Sequence, residues 1–432
     1  MLLDEKLNDL LQELKKLSVP THTVSSEEEQ SLPPPFVESA SSVGDRILEV
    51  SDGGEEIVRI DPKVTEAINF EAFLDGVQRT VMWRRIPLRD GGAVPVHIAH
   101  ICAGIILRDK RDVLHLPENF IASRLLVLAP FKGLEEAGVT FETLREQGER
   151  FFWDTSEHTF AFPKEPDEWI ICDTTFPSTD TNRLEFSDNC IIGERLLDEG
   201  LVRGRAQGRV ATLRQRLEMA LLAKFRKEFP MEWILVDGPL FFIDKWRKRA
   251  FKIFKDELSI GQEGDLEDKL LRFAVGIIKS HRLKPKNPQA ILKIAQGERS
   301  TVRLLSQEVD VKGRGSHWDE SGGYASMHFT WYTRFRLQSQ RPLGFAGLIR
   351  LDIHKSTLNI VRTDTLDVES FREYVPIIND ITVGVWNERS PQLPRGSDLR
   401  SFAEPYPIYQ LEKILKATIY PRRFLSYLLE TF

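Results

Sequence analysis

Residues 232–243, EWILVDGPLFFI, contain a short apolar run that ends in a single carboxylate. The run from Trp233 to Val236 has the pattern of a buried strand, and Gly238-Pro239 ends it. Asp237 therefore falls at the rim of a predicted sheet. An aspartate at such a rim either caps the following turn or takes part in a site, so its interpretation depends on the rest of the chain.

The order of predicted elements indicates an α/β fold with a mixed sheet. Three consecutive strands are predicted from Phe70 to Asp109, with RDGG (89–92) as the turn between the second and the third. Helical spacing of leucines predicts a helix over 206–228, directly before the strand that ends at Asp237.

Beyond Asp237, the pattern predicts a charged helical stretch (244–273), a strand in AVGIIKSH, and an antiparallel pair formed by MHFTWYTRFRL and FAGLIRLDIHK. Two helices follow, around 367–381 and 408–418. Three opening antiparallel strands and then alternating helices and strands are the pattern of a ribonuclease H-like nuclease core, a mixed sheet flanked by helices. This is an analogy at the level of the fold.

The organisation along the chain is predicted in three parts. Residues 1–17 have leucines at helical spacing and form an amphipathic helix that packs on its own chain or on a partner. Residues 18–45, rich in Ser, Pro and Glu, form a flexible linker. Residues 46–432 form the main domain, in which residues 115–200 look like an insertion.

Composition excludes several classes of protein. Charged residues make up 29% of the chain and no apolar run is long enough to span a bilayer, so we expect no membrane partner. The charged N-terminus has no signal-peptide core, and three cysteines without a CxxC pair fit a reducing cytosol, so we expect a cytoplasmic location. No GxxxxGK[ST] segment or G-x-S-x-G elbow occurs, which argues against P-loop ATP hydrolysis and serine esterase chemistry.

Three carboxylates occupy positions suited to a metal site. Asp75 lies in the first strand and is followed by glycine, Glu218 interrupts the apolar face of the predicted helix, and Asp237 ends the next strand. Hydrolysis of a phosphodiester by two divalent ions needs acidic side chains from separate elements. Each residue also has a structural alternative: a turn residue, an exposed helix position and a cap.

The chain resembles the NurA nuclease family from about residue 70 to 420. The resemblance rests on LVDGPL, on the preceding helix with RLE, on the earlier Asp-Gly strand, on GIIKSH and on PYPIYQLE, in the family's order. It implies that Asp75, Glu218 and Asp237 are metal ligands and that Lys279 lies beside the scissile phosphate. Glu412 falls where the family usually has His or Asp, so whether it is a ligand stays open. The family's Asp-Gly-Ser is Asp-Gly-Val here.

The resemblance implies a metal-dependent deoxyribonuclease, an exonuclease and single-strand endonuclease that uses Mn²⁺ or Mg²⁺. It also implies a homodimer that acts with a HerA-type hexameric ATPase in DNA end resection, repair or defence against foreign DNA. The basic stretches 203–216 and 245–255 would guide the DNA backbone, with phosphate contacts expected from Arg209, Arg214, Arg216, Lys245, Arg247 and Arg249.

Two alternatives remain open. The chain could be a catalytically inactive DNA-binding or docking subunit of the translocase, or another ribonuclease H-like enzyme such as a guide-dependent nuclease. The N-terminal helix and residues 115–200 are both candidates for docking the translocase. The aromatic run HFTWYTRF (328–335) either lies in the core, which we favour, or stacks on bases.

Overall fold

The computed structural model describes residues 5–20, 48–49, 56–89, 91–141, 168–176, 189–240, 251, 254–256, 258–262, 264–279, 287–304, 328–336, 347–363, 365–389 and 403–428. The strands within these ranges are β1 (Val19–Pro20), β2 (Ile57–Arg59), β3 (Ala72–Pro87), β4 (Ala93–Arg108), β5 (Leu114–His115), β6 (Ile121–Ala129), β7 (Glu168–Asp173), β8 (Ile234–Asp237), β9 (Ala274–Ile278), β10 (Glu298–Ser300), β11 (Arg303–Leu304), β12 (His328–Arg334) and β13 (Leu348–His354).

The helices in the same ranges are α1 (Glu5–Leu17), α2 (Phe131–Glu136), α3 (Glu199–Glu228), α4 (Asp265–Leu271), α5 (Pro288–Lys293), α6 (Val368–Phe371), α7 (Val375–Asn387), α8 (Tyr406–Thr418) and α9 (Arg422–Leu428). Helix α3 begins earlier than the predicted 206–228, because the carboxylate of Asp198 accepts a hydrogen bond from the backbone N–H of Leu201 and caps the first turn. Of the two C-terminal helices, α8 coincides with the prediction, and α7 continues beyond 381.

The described strands form one mixed sheet, which confirms the predicted α/β fold. Its main order is β2-β10-β12-β13-β9-β8-β3-β4-β6-β7, with β1, β5 and β11 attached at its margins. The pairs β3–β4 and β4–β6 are antiparallel, whereas the pairs β3–β8 and β8–β9 are parallel. The predicted antiparallel pair is confirmed as β12 and β13.

The opening of the sheet differs from the prediction. The first two predicted strands are one 16-residue strand, β3, with a bulge between Met82 and Arg84. Residues 77–86 contain no glycine or proline that could end a strand at the predicted boundary between Thr80 and Val81. The strand therefore continues, and its pairing with β4 shifts at a bulge. The turn between Pro87 and Ala93 is present, closed by a hydrogen bond from Leu88 N to Gly92 O.

The described part of residues 115–200 contributes the strands β6 and β7 to the sheet. Strand β6, which pairs with β4, is the third antiparallel strand of the opening meander, and β7 pairs parallel to β6. The run from Leu125 to Leu128 is fully buried. Residues 142–167 and 177–188 lie outside the described residues, so the predicted insertion is described only at its margins.

Helices cover both faces of the sheet, and adjacent residues of β3 show the division. Leu74 belongs to the core beneath α3 and α4, whereas Phe73 belongs to the core beneath α7 and α8. This alternation follows from the period of two along a strand. Residues of odd number on β3, among them Asp75, therefore face the side covered by the C-terminal helices.

The N-terminal helix packs on its own chain. Leu10, Leu11 and Leu14 are fully buried and share a core with Val81 and Trp83 of β3. The beginning of the predicted linker is described too, because Val19–Pro20 pairs with β3, but residues 21–47 lie outside the described residues.

Neither a disulfide nor a candidate membrane span is found in the described part of the chain. Cys102, Cys172 and Cys190 are all buried. None of the described helices is both long enough and apolar enough to cross a bilayer.

Candidate active site

The two predicted aspartates lie where β8 ends against β3. The last paired residues of these parallel strands are Leu74 and Val236, so Asp75 and Asp237 follow directly on neighbouring strands. Gly238 then takes a φ of +122°, a backbone conformation that favours glycine, and its N–H donates to Ile277 O on β9. The Asp-Gly pair thus ends the strand and leaves the carboxylate of Asp237 at the rim.

Lys279 follows the end of β9, the strand beside β8. Its ammonium Nζ lies 2.9 Å from Oδ1 of Asp237 and also forms an ion pair with Glu404. The Lys279 side chain is only 5% exposed. A buried ammonium needs such partners, because an unpaired buried charge is strongly destabilising.

Glu218 reaches the same rim from α3, on the opposite face of the sheet. A Cβ added at Gly76 would lie 2.2 Å from Oε1 of Glu218, so only glycine leaves room for this carboxylate. Arg214, one turn earlier on α3, forms an ion pair with Glu218 and donates to the backbone oxygen of Gly76 over 3.1 Å. The strand, the helix and the glycine between them together fix the carboxylate of Glu218 near Asp75 and Asp237.

Glu404 is a member of this cluster that the sequence reasoning missed. It lies directly before α8 and the segment PYPIYQLE, which begins at Pro405 and in which Glu412 was the predicted candidate. Glu412 is one to two turns further along α8, forms an ion pair of 2.7 Å with Lys416 and is 21% exposed. An acidic residue next to the Pro-Tyr-Pro segment, together with the need of Lys279 for partners, was the available signal for Glu404.

The carboxylates perturb one another's protonation. Burial raises the pKa of Asp75 well above its usual value, and the charges of Asp237 and Glu218 raise it further against the opposing effect of Lys279. Burial also raises the pKa of Glu218 to about 7, despite the attraction of Arg214 and with a smaller contribution from Asp237. The pKa of Glu404 is raised by burial and, after the opposing effect of Lys279, by Asp237.

Lys279 shows the complementary effect. Burial by itself lowers the pKa of its ammonium, but the charges of Asp237, Glu404 and Asp75 outweigh burial, and the pKa is raised. Lys279 is therefore a cation across the physiological range. Its charge is held in place by the carboxylates that it neutralises.

The donor set fits a hard divalent cation in its chemistry. Asp75, Glu218, Asp237 and Glu404 contribute four carboxylates to one region, against the two cations Lys279 and Arg214. Oxygen donors are what Mn²⁺ and Mg²⁺ prefer. Among the described residues, no group of three His, Cys, Asp or Glu side chains is arranged to hold one metal ion. Lys279 and Arg214 form ion pairs with three of the four carboxylates: Asp237, Glu404 and Glu218.

None of the residues predicted to contact DNA is found on an open surface among those that the structure describes. Arg209 and Arg216 are each 1% exposed on the inner sides of α3, so they present no surface for a phosphate. Arg214 is part of the active-site cluster itself. Lys245, Arg247 and Arg249 lie outside the described residues.

The aromatic run of β12 lies in the core, as we favoured. Phe329, Trp331 and Phe335 are at most 1% exposed, and the indole Nε1 of Trp331 donates to Oγ1 of Thr382 on α7 over 2.9 Å. These rings are not available to stack on bases.

Four carboxylates and two cations thus meet at one rim of the sheet. Comparison of the chain with protein-family models and with curated proteins found no match.

Proposed function

We propose that the chain is a metal-dependent deoxyribonuclease of NurA type. The observation that carries the proposal is the meeting of Asp75, Glu218 and Asp237, from two strands and a helix, beside the buried ammonium of Lys279. A structural role would need only one paired carboxylate at a strand end. Several mutually repelling carboxylates in one buried region are instead typical of functional sites.

The order of strands supports a ribonuclease H-like core for this proposal. The meander β3-β4-β6, followed by α3, β8 and β9, gives a spatial order in which the first strand is central and the two later parallel strands extend beyond it. Asp75 lies on that central strand and Asp237 on the neighbouring one. The likeness concerns the fold, and the function is argued from the residues.

Asp75, Glu218 and Asp237 would hold Mn²⁺ or Mg²⁺, with Glu404, which lies near Asp237, as a further carboxylate. Glu412 lies near Glu404 and stays the more distant candidate. When bound, these ions supply a water activated for attack on phosphorus and stabilisation of the leaving oxygen. Bound ions would also offset the repulsion among these carboxylates, which contributes, after burial, to the raised pKa values of Asp75 and Glu218.

The chain's own cations act on the substrate and on the ligands. Lys279 offsets the negative charge of the phosphate in the transition state, and Asp237 holds its ammonium in position. Arg214 orients the carboxylate of Glu218 through their ion pair and is itself held by Gly76 O and by Oε1 of Gln78. The buried ion pairs keep these groups in fixed positions before the substrate arrives.

The biological setting follows from the resemblance to the NurA family. We propose a cytoplasmic homodimer that acts on DNA together with a HerA-type hexameric ATPase, in end resection during repair or in defence against foreign DNA. Light scattering of the purified chain tests the dimer. Co-elution with a purified translocase of this type tests the partnership.

The catalytic proposal is tested by degradation of end-labelled linear DNA in manganese, in magnesium and in EDTA. We expect metal-dependent cleavage by the wild type and its loss in Asp237→Asn. The control Glu194→Gln, which changes an exposed acid outside the carboxylate cluster, should cleave like the wild type. Wild-type protein that stays inert in manganese, with and without the translocase, would refute the catalytic proposal.

One observation favours a second candidate, an inactive DNA-binding or docking subunit. Lys279 already neutralises Asp237 and Glu404, which would suit a site that has kept its fold without binding metal. In that case calorimetry would detect DNA binding but no uptake of Mn²⁺ by the wild type.

A further inference from the structure

Within the described ranges, the large aromatic residues that are exposed lie on the two C-terminal helices. Among the described residues, Tyr406 and Tyr409 on α8 are 40% and 50% exposed, and Phe424 and Tyr427 on α9 are 44% and 62% exposed. Single exposed aromatics are common on protein surfaces, but four on two consecutive helices form a group.

Basic residues accompany these rings. Residues 406–428 contain four basic residues and one acidic residue, although the whole chain has a net charge of −6. The single acid, Glu412, is neutralised by its ion pair with Lys416, and Lys413 and Arg423 are both exposed. The segment is therefore locally positive on an acidic protein, which gives charge complementarity to a nucleic-acid backbone.

The two helices lie on the same face of the sheet as Asp75. Helix α8 packs in the core that contains Phe73 and Val77 of β3, and Leu425 of α9 packs in the core that contains Val81. All three residues of β3 have odd numbers, as has Asp75, so they point to one face. The outer sides of α8 and α9 therefore both belong to the surface above the face of the sheet that carries Asp75.

This surface begins at the candidate active site. Tyr406, the first residue of α8, is two residues from Glu404, which contacts Lys279. Tyr406, Tyr409 and Lys413 follow one another at helical spacing on the exposed side of α8, while Ile408, Leu411 and Leu415 point into the core. A helix of 13 residues leads about 20 Å away from the site.

We propose that this aromatic–basic surface, made of Tyr406, Tyr409, Lys413, Arg423, Phe424 and Tyr427, binds a single-stranded nucleic acid and leads it to the active site. Stacked rings beside basic groups bind single strands without sequence preference, because every base has a flat face. A duplex keeps its bases stacked on each other and offers no such contact. This proposal rests on the proposed nuclease function and adds that the substrate reaches the active site as a single strand.

The test measures binding of fluorescent oligothymidine in EDTA, so that no cleavage occurs. We expect the variant Tyr406→Ala/Tyr409→Ala to bind roughly 5- to 100-fold more weakly than the wild type, and Tyr406→Phe/Tyr409→Phe to bind like it, because phenylalanine keeps the ring. Val361→Ala, at an 80% exposed residue away from the surface, is the matched control. The neutral variant Lys413→Gln/Arg423→Gln should lower the salt dependence of binding.

A second measurement locates the strand directly. Oligonucleotides that carry 5-iodouracil should crosslink to Tyr406, Tyr409, Phe424 or Tyr427 on irradiation, with the adducts identified by mass spectrometry. Crosslinks confined to other parts of the chain, or equal affinities for the alanine and wild-type proteins, would overturn the proposal. If the alanine variant instead binds DNA normally but changes the oligomeric state, the surface is a contact between copies of the chain, and the proposal is also overturned.

Cleavage of the nitrophenyl ester of thymidine monophosphate in manganese separates this proposal from the nuclease proposal. This small ester needs the active site but not the surface, so the tyrosine variants should cleave it like the wild type. Loss of oligothymidine binding with retained ester cleavage supports the surface. Ester cleavage with unchanged oligothymidine binding overturns the surface alone, and absence of ester cleavage in the wild type counts against the nuclease.

Discussion

The ammonium of Lys279 lies 2.9 Å from a carboxylate oxygen of Asp237, and both side chains are largely buried at the ends of neighbouring parallel strands. Lys279 also contacts Glu404, so one cation holds two carboxylates that come from distant parts of the chain. Removal of the cation would leave both acids buried without a partner.

We expect Lys279→Met to lower the free energy of unfolding by about 3–5 kcal/mol, because it breaks a buried ion pair. We also expect DNA cleavage to fall by roughly 10²–10³-fold, because a positive group beside the phosphate is lost. Chemical denaturation and end-labelled DNA measure the two effects. Lys416→Met is the control: the Lys416 side chain is 58% exposed, and removal of its ion pair with Glu412 should change stability by less than about 0.5 kcal/mol. Equal effects of the two substitutions would contradict this account.

Gly76 is expected to be intolerant of a side chain although it carries no functional group. In Gly76→Ala the new methyl group would take the place of the Glu218 carboxylate, which can move because it ends a flexible side chain. We therefore expect a loss of at most about 1 kcal/mol in stability but a marked loss of cleavage, because the carboxylate is displaced. Gly264→Ala is the matched control, because nothing lies within 4 Å of a Cβ added there. If both alanine variants cleave DNA equally well, Gly76 does not define the position of Glu218.

Divalent cations should stabilise the protein through the carboxylate cluster. At a manganese concentration of 100 times the dissociation constant, the free energy of unfolding should rise by about 2.7 kcal/mol. Thermal unfolding with and without EDTA measures this change. We expect none in Asp75→Asn/Asp237→Asn, whereas Glu194→Gln should respond like the wild type. A response that survives the double substitution would place the metal elsewhere.

His97 predicts a pH dependence of stability that is independent of the active site. Burial lowers its pKa from 6.5 to about 4, with smaller contributions from Arg203 and Arg85. Between these two values the unfolded chain binds a proton at this histidine and the folded chain does not, so stability falls as pH falls from 6.5 towards 4.

The slope from this one group is at most about 1.4 kcal/mol per pH unit. Urea denaturation of the wild type and of His97→Gln across this range isolates it, because the other groups contribute to both proteins. We expect the stability of the wild type to fall more steeply than that of the variant as the pH is lowered. Parallel curves would show that His97 is protonated in the folded protein as readily as in the unfolded one.

Sequence patterns predicted single helices and strands where the pattern lay within one element. The periodicity of leucines predicted most of α3, and short apolar runs predicted β8, β9, β12 and β13. Asp75 and Asp237 could be predicted to lie near each other because both belong to apolar strands of one sheet. The merging of two predicted strands into β3 depended on a bulge, which side-chain patterns alone do not reveal.

Contacts between distant segments could not be predicted. Glu404 belongs to the site only because its segment meets Lys279, which is 125 residues earlier in the chain. Arg209 and Arg216 were interpreted as surface residues because they are charged, but α3 is covered on most of its circumference, which buries them. Charge alone does not place a side chain outside when the aliphatic stem can pack and the guanidinium finds acceptors, as Arg209 does at Phe176 O.

The shortness of β8 leaves part of one edge of β3 without a paired strand among the described residues. Among the described strands, β3 pairs on this side with β8 over Ala72 to Leu74 and with β1 at Arg84 and Arg85, so the edge between them is not continued by a strand. An open edge can recruit a strand from another molecule. Arg214 donates to one acceptor in this part of β3, Gly76 O, so the residue that orients Glu218 also makes that carbonyl unavailable to a strand from another molecule.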